Sequence, residues 1–268
     1  MNLDFFQITF LGVLQGLTEF LPISSSGHLI LPSLLFSWND QGLTFDVAVH
    51  VGTLVAVLLY FRKDILRLTL AWLKSFAVRQ NTEDSRLAWM LIVATIPAGI
   101  AGLLLNDYVE EYGRSLLVIG VTSIVFALFL YWSDKTGSKQ LSMAELNWKT
   151  VLLIGFAQVL AIIPGTSRSG VTMTAALFCN LDRRAAARFS FLMSIPLILG
   201  SGLLKGLDLA AEGGAAVEWL VLAYGALVSA VVAYFCIHFF LQLIERVGFV
   251  PFVIYRLIMG FLLLTLAF

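Results

Sequence analysis

Six apolar runs near the length of a bilayer's hydrocarbon core recur along the chain. They fall at Phe45–Phe61, Leu87–Leu105, Leu116–Trp132, Phe189–Leu204, Trp219–Cys236 and Pro251–Phe268. In lipid every backbone amide must find its partner within the protein, and a helix provides that within one segment. Composition agrees: 59% of residues are hydrophobic and 13% charged, where soluble chains carry about 45–50% and 25%. With a mean hydropathy of +0.92, the reading is an all-α, polytopic membrane protein, and disorder, collagen-like repeats and a disulfide scaffold are excluded.

Seventeen basic residues balance seventeen acidic ones, so no electrostatic case for nucleic acid exists. Cys179 and Cys236 sit far apart inside apolar segments and read as small hydrophobes. The start, Met1-Asn2-Leu3-Asp4, has no basic region typical of a cleaved signal, so the first apolar segment is expected to remain.

Two further apolar regions are interrupted. Phe5 to Phe36 breaks at Leu21-Pro22-Ile23-Ser24-Ser25-Ser26-Gly27, and Val151 to Leu181 breaks at Ile163-Pro164-Gly165-Thr166-Ser167-Arg168-Ser169-Gly170. Each half is too short to span at about 1.5 Å per residue. Re-entrant helical hairpins are the better reading.

Loop charges orient the spans. Arg62, Lys63, Arg67, Lys74, Arg79 and Arg86 place the loop after Phe61 inside. Asp107, Glu110 and Glu111 against Arg114 place the next loop outside, and Lys135, Lys139 and Lys149 return the chain inside. Arg183, Arg184 and Arg188 put the far end of the second broken region inside as well, as a hairpin requires. Asp208, Glu212 and Glu218 lie outside despite Lys205, and Arg246 inside, which leaves both termini outside. The expected architecture has six spanning helices and two re-entrant hairpins.

The two broken regions also resemble each other. Gly12-x-x-Gln15 followed by Pro22-x-Ser24-Ser25 matches Gly155-x-x-Gln158 followed by Pro164-x-Thr166-Ser167, at an offset of about 142 to 143 residues. A glycine, Gly27 or Gly170, and then three spans follow each. An odd number of spans turns the second copy upside down, giving an inverted-topology repeat of the kind transporters use. The chain is thus read as one membrane domain over 1–268, with repeats of about 1–133 and 150–268.

Irregular backbone at membrane depth must meet other protein or line a wet cavity. The first break carries Gln15, Glu19, Ser24, Ser25, Ser26 and His28, and the second Gln158, Thr166, Ser167, Arg168, Ser169 and Thr172. Glu19 and Arg168 are the only charged side chains in their regions, and charges at that depth are functional candidates. Gln15 and Glu19, four apart, share a helical face. Ser25 and His28 open a short helix, whose free N–H groups favour an anion. Arg168 can hold phosphate oxygens in a fork. Together these describe a phosphate site with a catalytic acid or base. Plainer readings compete: a structural ion pair for Glu19 and Arg168, close packing for Gly99, Gly102, Gly200 and Gly202, and satisfied core positions for His50 and His238. Asp46 reads equally as a helix-end charge or a site residue.

Gly16-Leu17-Thr18-Glu19-Phe20-Leu21-Pro22-Ile23-Ser24-Ser25-Ser26-Gly27-His28 and Pro164-Gly165-Thr166-Ser167-Arg168-Ser169-Gly170 resemble the two signature motifs of the bacterial undecaprenyl-diphosphatase, or bacitracin-resistance, family. The resemblance extends to Phe45-Asp46 and to Phe249-Val250-Pro251-Phe252-x-x-Tyr255-Arg256. It implies removal of the terminal phosphate from undecaprenyl diphosphate, which regenerates the lipid carrier for cell-wall synthesis. It further implies dependence on Mg²⁺ or Ca²⁺ near Glu19, and a site toward the outer face of the inner membrane. In the family's glutamine/glutamate-x-x-x-glutamate pattern, Glu19 is the glutamate and Gln15 fills the first position without charge, which weakens a two-carboxylate metal clamp.

Ser25 matches the nucleophile, His28 the motif histidine and Arg168 the diphosphate-binding arginine. Ser167, Ser169, Ser24, Ser26, Gln15 and Thr172 would help to hold phosphates. Either His28 or Glu19 would take the serine proton, and a rival assignment makes His28 the nucleophile. A carrier of an anion or lipid phosphate is the alternative class. The implied partners are undecaprenyl diphosphate and the bilayer, and assembly into a homo-oligomer stays open.

Overall fold

The computed structural model describes residues 3–36, 38–77, 81–113, 115–211 and 218–268. Met1, Asn2, Arg79, Arg114 and Glu212, used above to read the termini and loops, lie outside them, as do the side chains of Asp107, Glu110 and Glu111. Eleven α-helices are described: α1 (Phe5–Thr18), α2 (Ser25–Phe36), α3 (Gly42–Tyr60), α4 (Arg62–Ala77), α5 (Glu83–Tyr112), α6 (Leu116–Thr136), α7 (Trp148–Val159), α8 (Arg168–Phe178), α9 (Arg183–Ala211), α10 (Trp219–Val247) and α11 (Val250–Ala267). Six of them, α3, α5, α6, α9, α10 and α11, are long and apolar enough to cross a membrane. All six contain the runs read from sequence, extended at one or both ends except for the last residue of two. The chain is a multi-pass, all-α membrane protein.

The broken regions form α1 with α2 and α7 with α8. Helices of 14 and 12 residues in the first pair and 12 and 11 in the second reach about 16–21 Å, short of a roughly 30 Å hydrocarbon core. Helix α1 is started by Asp4, whose carboxylate accepts from the Gln7 N–H at 2.8 Å while Gln7 answers the Asp4 N–H at 3.1 Å. Helix α1 packs on α10 and α7 on α5, while α3 meets α9 and α6 meets α11. Close approach needs small residues in places: a Cβ on Gly52 of α3 would run into the Ala226 carbonyl of α10.

Three expectations need correction. The segment after Phe61 is a helix, α4, where charge count gave a loop. Its Ile65, Leu68 and Trp72 turn toward an apolar cavity of about 240 Å³ shared with α5 and α9, while Arg62, Lys63 and Arg67 stay exposed or half-exposed. Gly99, Gly102 and Gly200 meet nothing where a Cβ would stand, so packing within the chain does not require them; only Gly202 does, against Val51. His238 is exposed and touches Tyr60 and Gln242. Both cysteines are free, as read.

Basic residues assigned to the inner face are anchored to carboxylates at helix ends. Arg183 forks onto Asp134 at 2.7 and 3.0 Å, Arg184 meets Glu245 at 3.1 Å and Arg188 meets Asp64 at 2.8 Å.

Candidate active site

Both breaks turn on a serine forced into left-handed backbone. Ser24 has φ 74° and Ser167 φ 72°, a conformation that costs a non-glycine residue about 1–2 kcal/mol. Each serine offsets this by capping the helix it precedes. The Gly27 N–H donates to Ser24 Oγ at 3.4 Å, and the Gly170 N–H to Ser167 Oγ at 3.0 Å. Each hydroxyl also lies beside that of the serine two residues on, Ser26 at 3.4 Å and Ser169 at 3.2 Å. At the second turn Gly165, at φ +86°, is required twice over: its backbone is left-handed, and a Cβ would collide with Thr122 of α6.

The turns meet. Ser169 Oγ donates to the Leu21 carbonyl at 2.8 Å. Arg256 of α11, fully buried, joins them from below. Its Nη1 donates to Pro22 O at 3.1 Å, its Nη2 to Gly165 O at 2.8 Å and Thr166 O at 3.0 Å, and its Nε to Ser123 O at 3.2 Å. A buried guanidinium costs several kcal/mol unless its donors are filled. Turn carbonyls that no helix can satisfy fill them here.

Across this junction runs the central ion pair. Arg168 Nη2 donates to Glu19 Oε1 at 2.6 Å, and Nη1 to the Ser190 carbonyl of α9 at 3.0 Å. Glu19 Oε2 accepts from Ser25 Oγ at 2.6 Å and from Gln15 Nε2 at 3.0 Å. His50 Nε2 lies 3.3 Å from the same oxygen. His50 is therefore no satisfied core residue but a member of the cluster. Its place on α3 gave no signal in one sequence, because its partner Glu19 stands thirty-one residues earlier on another element.

Burial divides the residues singled out by sequence. Gln15, Glu19, Ser24, His28, Ser167, Ser169 and Thr172 are buried. Ser25 and Arg168 are half-exposed, as is His50, which sequence did not single out, and Ser26 is exposed. The second set is open to a ligand, and the first lies behind it. Thr172 is an instance, with Oγ1 2.8 Å from the Arg168 carbonyl and 2.7 Å from Ser190 Oγ.

His28 points elsewhere. Its Nδ1 is 2.7 Å from the Ser24 carbonyl, which only accepts, so Nδ1 carries the proton. Its Nε2 then accepts from the Tyr255 hydroxyl at 2.6 Å. No hydrogen bond joins His28 to Ser25 among the described residues; Ser25 has Glu19.

The donor set does not suit a metal ion held by the protein alone. Among the described residues Glu19 is the one carboxylate bonded within the cluster, with Oε1 accepting from Arg168, Oε2 accepting from Ser25 and Gln15, and His50 Nε2 3.3 Å from Oε2. Gln15 supplies a neutral amide oxygen, buried without a hydrogen-bond partner, in place of a second carboxylate. Among the described residues no three His, Cys, Asp or Glu side chains group closely enough to hold a cation.

Residues 8–262 match the family model described as bacitracin resistance protein BacA. The chain is 56% identical over 267 residues to "Undecaprenyl-diphosphatase 2" of Stutzerimonas stutzeri (strain A1501), covering 98% of both chains. It is 54% identical to "Undecaprenyl-diphosphatase 1" of Pseudoalteromonas translucida (strain TAC 125), covering 95% of each. "Undecaprenyl-diphosphatase" of Alteromonas mediterranea matches at 54% identity over 98% of both. With its two paired turns, its central ion pair and this near-complete match, the chain belongs to the bacitracin resistance protein BacA family.

Proposed function

We propose that this chain hydrolyses undecaprenyl diphosphate to undecaprenyl phosphate and inorganic phosphate. The observation that carries the reading is the 2.6 Å hydrogen bond from Ser25 Oγ to Glu19. It prepares a hydroxyl at a helix N-terminus for attack, with Arg168 on the other oxygen of the same carboxylate at 2.6 Å. Relatives named undecaprenyl-diphosphatase support the substrate.

In this mechanism Arg168 and the N–H groups at the start of α2 bind the diphosphate. Ser25 Oγ attacks the terminal phosphorus, its proton passes to Glu19 Oε2, and the bond to the bridging oxygen breaks. Undecaprenyl phosphate leaves with the electron pair and takes the proton from Glu19. Water then attacks the phosphoserine, gives its proton to Glu19, and Ser25 recovers a proton as phosphate departs. His28, with Tyr255 on Nε2, holds the turn rather than serving as nucleophile. Ser167, Ser169, Ser24, Gln15 and Thr172 fix the groups that touch phosphate, and Ser26 stands open beside Ser25. Mg²⁺ or Ca²⁺, the cation the resemblance implies, would neutralise charge on the diphosphate.

The domain is read as two inverted repeats, about 1–133 and 150–268, each opening with a re-entrant hairpin. The matched φ angles of Ser24 and Ser167 and the exchange of α1 on α10 with α7 on α5 support this. The loop charges support an inner-membrane orientation with the site reached from the outer face.

Phosphate release from undecaprenyl diphosphate by purified protein, with Mg²⁺ and with EDTA, tests the reading. Release lost in Ser25→Ala and Arg168→Ala is expected. No release from well-folded wild type overturns the phosphatase and leaves a carrier. An acid-labile phosphoryl adduct on His28 overturns the serine route.

A further inference from the structure

His50 brings to the site a second nitrogen group facing Glu19, beside Arg168. Its ring lies between two acceptors, with Nδ1 2.6 Å from the Asp46 carbonyl and Nε2 3.3 Å from Glu19 Oε2. The Asp46 carbonyl only accepts, so Nδ1 donates to it, and Nε2 stands at ion-pair distance from Glu19, where the protonated ring is the cation of the pair. Glu19 thus faces a nitrogen group at each oxygen, Arg168 at Oε1 and His50 at Oε2. The Asp46 carboxylate, on the same helix one turn earlier, accepts from Gln41 at 2.8 Å.

Accessibility sets the two cations apart from the group between them. The His50 side chain is 27% exposed and that of Arg168 11%, against 5% for Glu19. A ligand arriving at Ser25 meets both cations before it meets the carboxylate. Gln15, being neutral, adds no further negative charge on that side of Glu19.

We propose that His50 is a second cationic contact for the diphosphate, facing Arg168 across Glu19. The inference rests on the phosphatase reading and adds a residue to it. A diphosphate carries several negative charges and more acceptor oxygens than one guanidinium can satisfy. When phosphate oxygens take the Nε2–H of His50, Glu19 Oε2 keeps only Ser25 and Gln15. Seating the substrate therefore frees the oxygen that must receive the Ser25 proton.

The test compares purified full-length His50→Gln, His50→Leu and Arg168→Ala with wild type in detergent. Phosphate release is measured over a range of undecaprenyl diphosphate, and inorganic pyrophosphate serves as competing ligand. His50→Gln keeps one N–H donor without the charge, and His50→Leu keeps neither. The expected result is a KM raised about tenfold or more in His50→Leu and less in His50→Gln, with pyrophosphate inhibition weakened in the same order. Thermal unfolding close to that of wild type separates this from misfolding. The proposal is overturned if folded His50→Leu keeps the wild-type KM and pyrophosphate inhibition. A wild type that releases no phosphate overturns the phosphatase reading, and this inference with it.

Discussion

In the first broken region Gln15 feeds its amide N–H to Glu19 at 3.0 Å. In the second, Gln158 occupies the matching place, and neither of its amide atoms has a partner although both are buried. Four residues on from each glutamine stand Glu19 and Ile162. The backbones are nonetheless alike, from the left-handed serines to the caps that Ser24 and Ser167 lend to Gly27 and Gly170. Turn geometry is common to both halves, and the chemistry is divided between them. The first holds carboxylate, hydroxyl and imidazole; the second holds the guanidinium. Neither half is a site alone, because the carboxylate and attacking hydroxyl stand in the first and the guanidinium that meets Glu19 at 2.6 Å in the second.

The largest effect should come from breaking that division. Arg168→Ala and Ser25→Ala are each expected to lower kcat/KM for undecaprenyl diphosphate by about a thousandfold, the scale of losing a charged phosphoryl contact or a nucleophile. Ser24→Ala, which removes a cap and not a reacting group, should cost about 1 kcal/mol of stability and leave kcat/KM within tenfold. Equal losses in Ser24→Ala and Ser25→Ala would mean that the two serines are not divided into cap and nucleophile.

Next in size is the buried arginine that both halves share. Arg256→Met leaves turn carbonyls of both regions, Pro22 on one side and Gly165 and Thr166 on the other, without donors. A loss of about 3 kcal/mol or more in unfolding free energy is expected, read as a lower midpoint in detergent. An unchanged midpoint would show that the turns hold together without it.

Much of this arrangement was legible in the chain. Six spans, two breaks and the choice of Glu19 and Arg168 as site candidates follow from apolar length and from the rarity of charge inside it. Helix α4 escaped because its basic residues dominate a charge count while its apolar face shows only as Ile65, Leu68 and Trp72 at helical spacing. His50, Tyr255 and Arg256 escaped for a different reason. Each meets its site partner across a long stretch of sequence, and only the packing of α3 and α11 against the turns decides what a lone polar residue in an apolar run will touch.

Tyr255 belongs to the first half's chemistry alone, since Val171 stands where His28 would fall in the second. Tyr255→Phe removes the donor to His28 Nε2. A fall in kcat of about fivefold is expected, the worth of one hydrogen bond near 1 kcal/mol, with KM unchanged. A fall as deep as that of Ser25→Ala would place Tyr255 among the reacting groups and move His28 with it.

The smallest effect tests the comparison most directly. Gln158→Met replaces two buried polar atoms that have no partner with a thioether of similar size. Burying an amide without hydrogen bonds costs about 1–3 kcal/mol, so the variant is expected to unfold at an equal or higher midpoint and to keep wild-type phosphate release within twofold. Gln15→Met removes the donor to Glu19 Oε2 and should lower release about tenfold at similar stability. The contrast needs both variants in one assay. If Gln158→Met loses activity as Gln15→Met does, the second amide has work of its own, and the chemistry is not confined to the first turn and Arg168.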